Sequence, residues 1–135
     1  MKSAVGLENK SIKKILVVDD EYDISLTIKI VLEENGFKVD SFTKASEALE
    51  KVRTGLYDLV ILDVKMPEMD GFSLYEKIKK LDGKVIICFL TAAGDAYYEI
   101  LKKRYPTINE NCVIHKPVDN ESLIRQIKSV LYMDL

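Results

Sequence analysis

Two cysteines, one histidine and three prolines in 135 residues leave several chemistries without material. Cys88 and Cys112 do not form a C-x-x-C pair, and no Cys or His stands at liganding spacing, so zinc is not a competitor for any site. Both cysteines lie in apolar, strand-like runs and read as buried free thiols of a reducing cytosol. No apolar stretch approaches the ~20 residues that cross a bilayer, so no membrane partner is expected. No G-x-x-x-x-G-K-[ST] loop occurs, which argues against a nucleotide-phosphate cradle. Neither sign of charge dominates: 20 Lys and Arg against 22 Asp and Glu leave −2, an argument against nucleic-acid binding over the whole surface. The opening MKSAVGLENKS has no signal-peptide core and no transit-peptide bias. Residues 1–11 therefore read as a flexible arm and 12–135 as one cytoplasmic domain.

What is present is regular. Apolar runs at 15–18, 59–62, 85–90 and 113–114 predict buried strands, and FKVDSF (37–42) alternates as a strand with one wet face does. Helical stripes fall between them: Ile24, Ile28 and Val31; Ala45, Ala48, Leu49 and Val52; Leu74, Ile78 and Leu81. Residues 95–104 form a weaker stripe in which Tyr97, Tyr98, Ile100 and Leu101 do not resolve to one face. Asp119 predicts an N-cap for a last helix carrying Leu123, Ile127, Val130 and Leu131. Gly36, Gly55 and Gly83 stand where helices stop. Five β/α units in strict alternation predict an α/β fold, a parallel sheet covered by helices on both faces. In such sheets ligands sit beyond the carboxyl ends of the strands.

The strand ends carry the chemistry. Strand one ends in Asp19, Asp20 and Glu21. Strand three ends in Asp63, ahead of VKMPEMDG. Strand four ends in Thr91, then Ala92, Ala93 and Gly94, and strand five in His115, Lys116 and Pro117. Each has an ordinary reading alone: Asp19 or Asp20 as a helix cap, Thr91 as a turn residue, Lys116 as a solvated strand end. Together they place an acidic cluster, a hydroxyl and an ammonium at one edge. Adjacent carboxylates disfavour one another's ionisation, so a positive guest is expected among them. A small hard cation that keeps several waters, Mg²⁺, suits such oxygens and bridges to phosphate. Lys116 adds a second positive charge and Thr91 a donor, which makes a clamp for a phosphoryl group. An aspartate can be the phosphoryl acceptor, and Asp63 is the candidate, at the end of a central strand and away from the Asp19–Asp20 pair.

In their order, ILVVDDE, DLVILDVKMPEMDG, LTA and HKP resemble the signature of response regulator receiver domains of two-component signalling, from about Lys13 to Leu131. The resemblance implies a flavodoxin-like, three-layer (βα)5 fold with strand order 2-1-3-4-5. It implies Asp63 as phosphoacceptor, direct Mg²⁺ ligation by Asp20, Asp63 and the Lys65 carbonyl, and action of Asp19 through water. Thr91 and Lys116 would bind the phosphoryl oxygens, and the Lys116–Pro117 peptide would be cis. The donor would be a sensor histidine kinase or a histidine phosphotransfer protein, and the reader a downstream effector protein. A phosphorylation-dependent homodimer is compatible with the resemblance. His115 reads as a strand residue rather than a metal ligand or phosphodonor.

Two departures from the family stand out. Val113 occupies the position where receivers usually carry Tyr or Phe, and LKKRYPTINENC before strand five is a few residues longer than usual. Tyr97, Tyr98 and Tyr105 lie near the face this affects and read as ordinary packing. Lys65 and Ala93 occupy positions that tune phosphoryl lifetime in the family. Ala93 has no carboxylate or amide to position water, so a long lifetime is expected.

Other classes fit less well. A Mg²⁺-dependent phosphatase or phosphotransferase with an aspartyl nucleophile, of the haloacid-dehalogenase type, carries DxD on its first strand where this chain has DDE, and the chain lacks a cap insertion. A flavin module would place its phosphate against the same acidic DDE. The chain runs to Leu135 with no linker or helix-turn-helix, which suits either a stand-alone receiver or a piece of a longer regulator.

Overall fold

A computed structural model describes residues 12–92 and 96–132, so the N-terminal arm, Ala93, Gly94 and Asp95 lie outside the described residues. Five short strands form one sheet: β1 (Lys14–Val18), β2 (Lys38–Phe42), β3 (Leu59–Asp63), β4 (Ile86–Ala92) and β5 (Val113–Lys116). All pairings are parallel and the order is β2-β1-β3-β4-β5. The expected fold class and strand order are therefore both present. β3 is buried along its whole length because it is central and covered on both faces, which is why its residues read as a continuous apolar run.

Five α-helices connect and cover the strands: α1 (Tyr22–Glu34), α2 (Ala45–Lys51), α3 (Gly71–Leu81), α4 (Ala96–Arg104) and α5 (Asn120–Tyr132). The pleat divides the core into two. Leu16, Val18, Val60, Leu62, Ile87 and Phe89 face α2, α3 and α4, where Leu74, Ile78 and Leu101 pack. Ile15, Val17, Leu59, Ile61, Cys88 and Leu90 face α1 and α5, where Ile28, Leu32, Leu123 and Ile127 pack. Asp119 caps α5 as expected, accepting from Ser122 N at 2.9 Å. Both cysteines are buried free thiols. No helix among the described residues is long and apolar enough to cross a membrane.

One local expectation needs correction, and two readings are sharpened. Leu81 is 47% exposed, although it continues the Leu74–Ile78 stripe. The chain leaves α3 at Asp82, whose carboxylate accepts from Gly55 N at 3.0 Å and Lys84 N at 3.2 Å, so a buried carboxylate rather than Leu81 closes that end. In α4 the ambiguity resolves onto Leu101, which is fully buried, while Ile100 is 42% exposed. The long segment before β5 contains a 3-10 turn (Glu110–Cys112) capped by Asn109, whose side chain accepts from Asn111 N. Such a turn is too short to show in hydrophobic periodicity. Tyr105, ahead of it, packs among Phe72, Tyr75 and Phe89 and donates to Glu76 Oε2 at 2.8 Å.

Candidate functional site

Register brings the polar strand ends together. Val18 lies opposite Leu62 and Asp63 opposite Leu90, while on the next pair Thr91 lies opposite His115. The carboxyl ends of β1, β3, β4 and β5 thus share one edge of the sheet. β1 and β3 are hydrogen-bonded neighbours, so Asp63 is not away from the acidic pair as expected. One oxygen from each of Asp19, Asp20 and Asp63 lies within 4.8 Å of the other two.

The three carboxylates differ in environment. Asp19 is fully buried and Asp63 nearly so, whereas Asp20 is exposed. Asp19 does not cap α1. Its Oδ1 accepts from Glu21 N at 2.9 Å, and Glu21 is the N-cap residue, with no side-chain cap bond. Lys116 Nζ stands at the centre, 2.9 Å from Asp19 Oδ2, 3.1 Å from Asp63 Oδ2 and 3.1 Å from Glu21 Oε1. Its approach to Asp19 Oδ2 is an ion pair off the hydrogen-bonding direction, so that buried oxygen lacks an aligned donor. Asp63 Oδ1 accepts from Lys65 N at 3.1 Å.

These contacts set the charge states. Burial, then repulsion from Asp19, push the Asp63 carboxyl up from 3.8 to about 7 against the pull of the Lys65 N–H and Lys116. Burial alone would lower the Lys116 ammonium, but Asp19 and Asp63 outweigh it and hold that group well above its ordinary value. The positive guest expected among the carboxylates is therefore, in part, Lys116 itself.

Thr91 lies inside β4 rather than beyond its end, and its hydroxyl is buried with no partner among the described residues. A buried donor without an acceptor is costly, so the site is shaped to receive a further oxygen. The loop after Asp63 is tightly held. Val64 N donates to Leu90 O, Gly71 N donates to Val64 O at 3.0 Å, and Asp70 caps α3 by accepting from Ser73 N. Glu68 fastens the same loop to the start of α2, accepting from Ser46 N and Ser46 Oγ at 3.0 Å each. The Lys116–Pro117 peptide is cis. A cleft of about 700 Å³ opens over Asp20, Asp63, Lys65, Tyr97 and Lys116. His115 is exposed, its ring 5.3 Å from that of Tyr98, and Val113 is buried in the core.

Three carboxylate oxygens, with no thiolate or imidazole among them, fit a hard divalent cation. The orphaned Thr91 hydroxyl and the Lys116 ammonium fit an oxyanion beside it. Sequence reasoning missed the Glu21–Lys116 bond, whose partners are 95 residues apart, and the closeness of Gly71 to the Asp63 backbone.

The family profile described as "Response regulator receiver domain" matches residues 15–128, and the chain belongs to that family. It is 34% identical over 124 residues to the "Probable transcriptional regulator ycf29" of Porphyra purpurea, covering 89% of this chain and 57% of that one. It is 31% identical over 115 residues to the "Transcriptional regulatory protein DltR" of Streptococcus agalactiae, covering 85% and 50% respectively. The chain thus spans about half the length of the curated relatives it matches. A CheY-like receiver domain from Methanospirillum hungatei JF-1 superposes with a TM-score of 0.77 at 30% identity, over 90% of this chain and 94% of that one. The relatives are named as regulators rather than as enzymes, and the chain is a receiver domain of the two-component response regulators.

Proposed function

We propose that the chain is a phosphorylation-dependent switch in which Asp63 accepts the phosphoryl group. The observation that supports this most strongly is the convergence on Asp63 of Lys116 at 3.1 Å, the two acidic neighbours and the unpaired Thr91 hydroxyl. An Asp63 oxygen attacks phosphorus on a phosphohistidine, the P–N bond breaks, and the imidazole of a sensor kinase or phosphotransfer protein leaves. Asp20, Asp63 and the Lys65 carbonyl would hold Mg²⁺, with Asp19 acting through water. Asp19 suits that outer role because its oxygens already face Glu21 N and Lys116. Held there, the metal would supply positive charge to offset that of the phosphoryl group. Lys116 binds a second phosphoryl oxygen and Thr91 donates to a third, so the chain catalyses its own modification without acting on another substrate.

The altered surface is then read by a downstream effector protein or by a second copy of the chain, in the cytoplasm. By the family resemblance position 93 tunes phosphoryl lifetime, and alanine offers no carboxylate or amide to engage water, so Ala93→Glu should shorten that lifetime. The test of the whole reading is incubation with acetyl phosphate and Mg²⁺ followed by intact mass. One phosphoryl adduct is expected, dependent on Mg²⁺ and missing from Asp63→Asn. An adduct that survives in that variant, or none in the wild type, would overturn it.

A further inference from the structure

Outside the phosphoryl site, the chain's only two thiols have been placed side by side. β4 and β5 run parallel with Phe89 opposite Val113 and Leu90 opposite Ile114. Cys88 directly precedes Phe89 on β4, and Cys112, the last residue of the 3-10 turn, directly precedes Val113 where β5 begins. Both lie on the α1–α5 face, where they share a core with Leu90, Ile114, Leu123 and Ile127. Their thiols are hydrogen-bonding neighbours. Cys88 is fully buried, while Cys112 is 7% exposed, in the turn that leads into the sheet's edge strand.

We propose that Cys88 and Cys112 are a peroxide-responsive dithiol that closes to an intramolecular disulfide between β4 and the turn that leads into β5. The two sulfurs have different roles. The hydrogen bond from Cys88 holds the Cys112 thiol below its ordinary value, with burial opposing and Lys79 helping. Cys88 is pushed well up, chiefly by the same hydrogen bond and by its burial. Cys112 is thus both the sulfur nearer to solvent and the better thiolate. Its sulfur attacks one peroxide oxygen, the O–O bond breaks, and water leaves with Cys112 as the sulfenic acid. The Cys88 sulfur then attacks Cys112, the S–O bond breaks, and a second water leaves. Two thiols and one hydrogen peroxide give one disulfide and two waters, and a dithiol reductant reverses the reaction. The closed loop, residues 88–112, contains Thr91 and all of α4. The proposal stands independently of whether Asp63 is phosphorylated.

The test treats the native, reduced chain with hydrogen peroxide, removes the oxidant, then denatures and alkylates free thiols before intact mass and peptide mapping. The expected product is a monomer ~2 Da lighter that takes up no alkylating agent, carries a Cys88–Cys112 linked peptide and reverts with dithiothreitol. Near-ultraviolet circular dichroism should show that the fold is retained. Cys88→Ala and Cys112→Ser, either of which suffices if the other fails to fold, should show no such product. Two alkylatable thiols after treatment, sulfinic or sulfonic acid alone, disulfide-linked dimers, or a cross-link accompanied by loss of the fold would each overturn the proposal.

Discussion

Gly71→Ala adds a single methyl group to the first residue of α3, and its effect can be worked out from contacts alone. The Gly71 backbone is not left-handed, so alanine is not excluded by its own torsions. Space is the obstacle. A Cβ at this position would press on the Asp63 carbonyl oxygen, 2.8 Å from Val64 Cα and 3.1 Å from the Asp63 carbonyl carbon. All three are backbone atoms, so no side chain can rotate away. Replacing glycine by alanine in a compatible helix position gains about 0.4–1 kcal/mol through the unfolded state. Overpacking costs about 1–3 kcal/mol, and collision with backbone places this case at the upper end. The net expectation is a loss of roughly 2–2.5 kcal/mol, or a Tm lower by about 7–9 °C. Relief must come by moving Asp63 and Val64 or by breaking the Gly71 N to Val64 O bond. Because misplacement of about 1 Å can cost ~100-fold at a reacting group, phosphorylation by acetyl phosphate should slow at least tenfold. Urea unfolding followed by circular dichroism suits a chain without tryptophan, and intact mass against time gives the phosphorylation rate. A variant as stable as wild type and phosphorylated at the wild-type rate would refute the reasoning.

Asp63 also predicts a pH dependence. Its carboxyl rises from 3.8 to about 7 on folding, so between those values the folded chain holds a proton the unfolded chain has lost. The associated stability is present below pH ~4 and lost as pH rises to ~7, a fall of at most about 4 kcal/mol without Mg²⁺. Asp63→Asn should remove that slope, and parallel urea profiles for the two proteins from pH 5 to 8 would contradict it. Lys116→Met strands the buried Asp19 and Asp63 charges and should destabilise by about 3 kcal/mol at pH 8, with a smaller loss at pH 5 where Asp63 is protonated. Equal losses at both pH values would show that Lys116 does not compensate Asp63. Asp70→Ala removes the cap on Ser73 N and should cost about 1 kcal/mol in urea unfolding, and an unchanged midpoint would count against the cap.

The sheet was legible because its strands are apolar runs bounded by polar ends, and alternation with helical stripes leaves few topologies. The candidate site was legible for the same reason, since its residues stand at or beside strand ends. Distances were not. Asp19 and Asp63 are 44 positions apart, and only the β1–β3 pairing shows that their oxygens compete for one space. Periodicity also gave no means of knowing that Asp82 would close α3 in place of Leu81, because that depends on hydrogen bonds to Gly55 and Lys84. The need for glycine at position 71 arises from the return of α3 past the Asp63 backbone, and nothing in the local pattern marks it. The 3-10 turn at Glu110–Cys112 explains where part of the long segment before β5 goes, yet its three residues fall below the length at which a period can be read.

If Asp63 is phosphorylated as proposed, the hydroxyl of Thr91, unpaired among the described residues, sets a scale for how sharply the protein can respond. A hydrogen bond from it to a charged phosphoryl oxygen is worth about 1.5–3 kcal/mol, which changes the ratio of two conformations by roughly 10- to 150-fold. Driving a population from 1:99 to 99:1 takes about 5.5 kcal/mol. Thr91 alone therefore covers only part of that span, and Val113, filling the core where an aromatic lever would otherwise stand, supplies no swinging ring to add to it. On the proposed function, the output would scale with the fraction of chains modified and with the preference of the reader for one conformer: a rheostat whose gain is set by its partner.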